Sequence, residues 1–219
     1  MTAIRFLIDN DVVIKLAQMD AYADALAAIS VNPNSVGSLG VMLRYMGLEG
    51  EQLRLKRTRT QAEADRLYKV LRTITAVEPS LEEQTLAALL MKAIIEAQLD
   101  MDEGEVALIA ITLKRSETEM ATGDKRAIRA LPALEVLCAE LAKLRGRLIC
   151  FEQLIKHLCQ KQGLPRIRNA VLAARHADQT ITMAYDHLEP QGAGRFLKGI
   201  DLVIQDRITS VAPGWLKPM

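Results

Sequence analysis

An α/β fold, with a small parallel sheet wrapped by helices, is what this sequence predicts, and three observations predict it. Short apolar runs, "IRFLI", "EMATG" and "RLICF", are separated by long stretches with helical spacing. That alternation gives parallel strands with helices on both faces. Half of the 219 residues are apolar and a quarter are charged, the balance of a globular protein with a sizeable core. No apolar stretch reaches the roughly 18 residues that a membrane-spanning helix needs, so no membrane association is expected.

Each element has its own signal. In "IRFLIDNDVVIKL" an apolar run ends at Ile8, reads as a strand buried on both faces, and stops abruptly in Asp9-Asn10-Asp11. Residues 12–29 have helical spacing, with Leu16, Met19, Tyr22, Leu26 and Ile29 as buried positions. "SVNPNSVGSLG" reads as a loop punctuated by Pro33, Asn34, Gly37 and Gly40. A short helix over 41–46 and a long one over 51–74 follow, the second burying Leu53, Leu67, Val70, Leu71 and Ile74. Pro79-Ser80, with Glu82 and Glu83, starts a helix whose core runs Leu86, Leu89, Leu90, Ala93, Ile94.

"LDMDEGE" breaks the chain before the helix "VALIAITLKR", and "TEMATGD" reads as a strand that again ends at a carboxylate. Helix to about Lys143 leads to the third strand, "RLICF". From Glu152 onward the chain is helical and more basic, with breaks at Gly163-Leu164-Pro165 and Glu189-Pro190-Gln191-Gly192. "QGAGRF" has no strand before it, so it reads as a turn rather than a phosphate loop.

The net charge of +1 gives no global case for nucleic-acid or membrane binding, and 4% aromatics supply few stacking platforms. The total hides an asymmetry. Between Arg44 and Arg72 eight bases stand against four acids, whereas between Glu78 and Glu105 eight acids face Lys92 alone. "LRLKRTRTQAEADR" is open to two readings: phosphate contacts along one helix, or a solvated face with pairs such as Asp65 to Lys69. Arg166, Arg168 and Arg175 near the C-terminus are equally open, a dimer or partner interface included. Three cysteines without CxxC spacing, and acids interrupting the first apolar segment, predict a cytoplasmic protein without a secretory signal. His157, His176 and His187 match no zinc motif and read as satisfied or surface histidines.

Acids recur where strands end or helices begin: Asp9 and Asp11, then Asp102, Glu103 and Glu105, then Asp124. If the first strand and "EMATG" are parallel neighbours, Asp9 and Asp124 emerge side by side at the carboxyl edge, the usual ligand crevice of such sheets. A helix entering over that edge would bring Glu105 to the same point. Several carboxylates together favour a cation between them, and an all-oxygen set suits Mg²⁺ or Mn²⁺. These acids also have a cap reading: Asp102-x-x-Glu105 resembles a capping box, Asp124 suits the cap of the next helix and Asp11 that of the first. Asp9, directly after buried residues, most needs a partner.

These stretches resemble the PIN domain family. "FLIDNDVVIKL" is similar to its first strand, "DEGEVALIAITLKR" to the Asp-x-Gly-Glu stretch of one branch, "MATGDKRAIRAL" to its later Thr-Gly-Asp turn, and "RLICFEQLI" to its final strand and helix. The resemblance covers residues 1–160 and implies a three-layer α/β/α PIN-like domain there, with 161–219 a helical C-terminal extension packed on it. It implies an Mg²⁺- or Mn²⁺-dependent nuclease acting on RNA, with Asp9, Glu105 and Asp124 as catalytic, metal-holding acids and Asp11 and Asp102 in support. A toxin-like ribonuclease, with an antitoxin, another protein or a second copy of the chain as partner, is the leading expectation. Two departures stand against it: "SLGVMLRYMGL" offers no Glu, and Lys125 and Arg126 follow Asp124 where many members place another acid. The competing expectation is a PIN-like module without catalysis that binds protein or RNA.

Overall fold

The computed structural model describes residues 3–186 and 193–218. Its centre is one five-stranded, all-parallel sheet in the order β3-β2-β1-β4-β5. The strands are β1 (Phe6–Ile8), β2 (Val36–Leu39), β3 (Thr75–Val77), β4 (Glu119–Thr122) and β5 (Leu148–Cys150). Successive strand residues point to opposite faces. Every residue of β1, β2 and β5 is buried, so helices cover both faces. The result is a three-layer α/β/α fold, as expected. The three strands legible in the sequence are β1, β4 and β5, and β1 does pair with β4, Ile8 opposite Ala121.

The helices are α1 (Asn10–Gln18), α2 (Tyr22–Ala28), α3 (Gly40–Met46), α4 (Glu51–Arg57), α5 (Gln61–Leu71), α6 (Leu81–Glu96) and α7 (Glu103–Lys114). They continue with α8 (Lys125–Leu137), α9 (Phe151–Gln162), α10 (Leu164–Ala173), α11 (Gln179–Asp186) and α12 (Ala193–Ile204). Ser80 caps α6 in a full capping box with Glu83, whose carboxylate also takes the Arg115 guanidinium at 2.7 Å. The helices after α9 join the same apolar core through Ile167, Val171, Ile181, Phe196 and Ile200. Buried Trp215 and the Leu148–Leu216 bridge cover the outer edge of β5, where Lys217 N–H donates to the Leu148 carbonyl at 2.7 Å. A covered edge cannot recruit a foreign strand. Among the described residues no helix is long and apolar enough to cross a membrane.

The structure differs from the sequence reading in five places. The stretch read as a loop at 30–40 contains β2, whose small residues Gly37 and Ser38 hide its strand character. The helix expected over 51–74 is two helices, and the second ends at Leu71. Thr58 Oγ1 donates to the Arg54 carbonyl at 2.9 Å and Thr60 caps α5, so backbone-seeking hydroxyls end one helix and start the next. Beyond α5, Thr75–Val77 pairs with β2. The helix expected over 12–29 breaks at Asp20, which adopts a left-handed φ of 51°. Leu53 and Leu89, expected in the core, are exposed. Ala193 to Phe196 of "QGAGRF" is helical; His187 and the break near Pro190 lie outside the described residues.

Gly37 shows how tightly the sheet is drawn together. A Cβ there would sit 2.6 Å from Val77 Cγ2 and 2.9 Å from Ile4 Cγ2. Gly37→Ala is therefore expected to destabilise the protein by about 1–3 kcal/mol, the usual cost of overpacking, measured as a lower urea midpoint at unchanged slope.

Candidate metal centre

Parallel strands all deliver their carboxyl ends to one edge, and the helices capped by the acids, α1, α7 and α8, start there. Asp9 leaves β1, its N–H bonded to the Ala121 carbonyl of β4 at 3.0 Å, and its Oδ1 accepts from Asn10 N–H at 2.7 Å to cap α1. Asp124 follows β4 through Thr122-Gly123, and its Oδ1 accepts from Arg126 N–H at 2.7 Å to cap α8. Asp102 caps α7 by accepting from Glu105 N–H at 2.9 Å, while Glu105 Oε2 accepts from Asp102 N–H at 3.2 Å. The cap reading is thus correct for Asp102 and Asp124, whereas α1 is capped by Asp9 and Asp11 lies inside its first turn. The capped helices nevertheless converge: Asp9, Asp11, Asp102, Glu105 and Asp124 line one cavity of about 470 Å³.

Two glycines permit the convergence. A Cβ on Gly123 would lie 2.1 Å from Asp11 Oδ2, and one on Gly104 would lie 2.5 Å from Met42 Cε. The first lets Asp11 close over the Thr-Gly-Asp turn, and the second seats the start of α7 against α3.

The electrostatics divide the acids into two groups. Asp9 and Glu105 are each 3% exposed and form no ion pair among the described residues. Burial, then the charges of Asp11, Asp102 and Asp124, push the Asp9 carboxyl up to about 7 against the opposing Asn10 hydrogen bond. Burial, then Asp124 and other neighbouring acids, push Glu105 up to about 8. Asp124 goes the other way: burial disfavours its charge, but Arg126 outweighs that and holds its carboxyl below the ordinary value. Arg126 grips it with Nη2 at 2.6 Å from Oδ2 and also reaches Asp100 at 3.2 Å. Asp11 is held by Lys15 at 2.7 Å, one helical turn on, and Lys15 also reaches Asp178 of the C-terminal helices at 3.0 Å.

As the side chains stand, no three His, Cys, Asp or Glu among the described residues form a group that could hold a metal ion. The acids share a cavity, and within it Asp11 and Asp124 are held in ion pairs with Lys15 and Arg126. The donor chemistry fits a hard cation: the candidate ligands lining the cavity are carboxylates, with neither His nor Cys among them. Binding one ion through Asp9, Glu105 and Asp124 requires Asp124 to release Arg126. Glu78, at the end of β3, also comes to this edge of the sheet beside Gly40, whose Cβ would meet its Oε1 at 2.3 Å.

Three features of the cavity escaped the sequence reading. The Asp11–Lys15 pair has the i,i+4 spacing of a helix and was open to recognition. Glu152 follows the buried strand β5 as Asp9 follows β1, and the same logic applies to it. It is fully buried with Lys125 Nζ 2.5 Å from its Oε1, and Lys125 lines the cavity. Asp178 lies far along the chain and carried no signal. The chain matches no family model, no curated protein and no solved structure.

The raised carboxyls have a consequence for stability. Without a divalent cation, the folded state holds protons on Asp9 and Glu105 that the unfolded chain has released. Their penalty is absent below the unfolded value of about 4 and full above the folded value of about 8. The metal-free protein is therefore expected to lose a few kcal/mol through these groups as pH rises from 4 to 8. Asp9→Asn and Glu105→Gln should each flatten that decline and raise stability at pH 8, as read by urea unfolding across the range. Profiles parallel to that of the unaltered protein would contradict the assignment.

Proposed function

We propose that the protein is a PIN-like, divalent-metal-dependent ribonuclease that hydrolyses a phosphodiester bond with metal-activated water. One observation supports this reading above the rest: acids from three distant stretches line one cavity, and the two most buried have no cation of their own. A bound Mg²⁺ or Mn²⁺ would neutralise charge at the scissile phosphate and lower the pKa of a water. Asp9, Glu105 and Asp124 would hold it, with Asp11 and Asp102 orienting them from α1 and the start of α7. Lys125 and Arg126 line the same cavity, and the planar fork of Arg126 suits phosphate oxygens as well as it suits Asp124. A toxin-like role in the cytoplasm, with an antitoxin or a second copy as partner, goes with this reading. All three cysteines are free, as a reducing compartment requires.

The Asp124–Arg126 and Asp11–Lys15 pairs favour a second reading. A cavity whose acids are neutralised by the chain's own bases serves a PIN-like module that binds protein or RNA without cutting it.

Titration with Mn²⁺ separates the two readings. On the nuclease reading the melting temperature rises with Mn²⁺, approaching about 2.7 kcal/mol of stabilisation at a hundredfold excess over Kd. Asp9→Asn should abolish the rise and lower Mn²⁺-dependent cleavage of an RNA pool by more than the roughly 100-fold that loss of an outer metal partner costs. Arg126→Gln should tighten Mn²⁺ binding by freeing Asp124. An unchanged melting temperature with intact RNA would favour the binding module.

A further inference from the structure

We propose that α3, α4 and α5 form a stacking platform for single-stranded RNA, built on Tyr45 and Tyr68 with Arg54 and Arg57 between them. The inference rests on the RNA reading above and names how that substrate is held.

Four observations carry it. First, α4 has no buried residue at all, so the core does not explain its position on the surface. Second, Arg54 and Arg57 lie one turn apart on α4 and reach opposite neighbours. The Arg57 guanidinium sits 3.7 Å from the Tyr45 ring centre on α3, and that of Arg54 sits 4.4 Å from the Tyr68 ring centre on α5. Arg72 approaches the same Tyr68 ring at 5.9 Å. Third, both tyrosines keep surface open to solvent, Tyr45 at 49% and Tyr68 at 37% exposure. Fourth, the charge is uncompensated. Among the described residues neither Arg54, Lys56, Arg57 nor Arg72 forms an ion pair, and Asp65 accepts from Gln61 at 2.9 Å instead of pairing with Lys69. The Asp65–Lys69 pair expected for a solvated face is not formed.

Part-exposed tyrosines with guanidinium groups over their rings suit bases and phosphates together, since every base has a π-face and Arg serves both contacts. Arg54 is fixed in place, its Nη1 donating to the Gly47 carbonyl at 2.5 Å. A Cβ on Gly47 would meet Arg54 atoms at 2.7 Å, so a glycine is required there, at a φ of +95°. The platform also leads to the acid cavity. Met42, near the start of α3, touches the Gly104 turn at the cavity rim, and Tyr45 lies about one turn further along the same helix.

The test is fluorescence anisotropy in EDTA, with a labelled single-stranded RNA of about 16 nucleotides, the duplex of the same sequence, and poly-glutamate. EDTA separates holding from cutting. The platform predicts that the single strand binds, and binds more tightly than either alternative. Tyr45→Leu and Tyr68→Leu should each weaken it about tenfold, whereas Tyr45→Phe and Tyr68→Phe should not. Arg54→Gln with Arg57→Gln should lower the slope of log Kd against log salt by about 0.7 per lost phosphate contact. Melting curves check that each variant folds. No binding of the single strand, equal binding of the duplex, poly-glutamate binding of equal strength, or leucine variants that bind normally would each overturn the proposal. Binding lost in the leucine variants, with no Mn²⁺-dependent cleavage by the unaltered protein, would leave the platform standing and remove the nuclease reading. Cleavage with unaffected leucine variants would do the reverse.

Discussion

Carboxylates taken out of water at the carboxyl edge of the sheet are the constraint around which this protein is arranged. A parallel sheet gathers the ends of its strands on one side, and the helices that follow begin there. Each helix start presents unsatisfied N–H groups and the positive end of its dipole, which makes buried negative charge tolerable. Asp9, Asp102 and Asp124 exploit this by capping α1, α7 and α8. The caps offset only part of the cost, as the raised carboxyls of Asp9 and Glu105 record. What remains is an unmet demand for positive charge.

Capping and ligation are compatible demands on one side chain. A carboxylate has two oxygens, and Asp9 uses Oδ1 for its cap while Glu105 uses Oε2 for its box. The remaining oxygens are free for other work. The chain's own bases meet the demand in part: Lys15 at Asp11, Arg126 at Asp124, and Lys125 at buried Glu152 beside the cavity. Through Lys15 the demand also reaches Asp178, which caps α11, so the C-terminal helices are tied electrostatically to the cavity rim.

The sequence was most informative where a residue had one strong physical reason to be where it is. Apolar runs ending in acid marked β1 and β4, and Ser80 with Glu82 and Glu83 marked the start of α6. It was least informative where tertiary contact replaced local pattern. The strand at Val36–Leu39 depends on Gly37 yielding space to Val77, and Thr75–Val77 is too short and too exposed to show a period. At the site, the arrival of Asp9 and Asp124 at one cavity followed from the adjacency of β1 and β4, which the sequence suggested. The grip of Arg126 on Asp124 did not, because two residues of spacing across a cap leave the direction of a long side chain open. The basic segment at 44–72 was legible as charge alone; its pairing with Tyr45 and Tyr68 needed the break between α4 and α5.

On the proposed reading a hard cation meets the unmet charge at Asp9 and Glu105. Crystals soaked in MnCl₂ and measured with anomalous scattering locate such an ion directly. A peak is expected within bonding distance of Asp9, Glu105 and Asp124 oxygens, with the Arg126 side chain turned away. Manganese absent from the cavity, with Asp124 still gripped by Arg126, would contradict it.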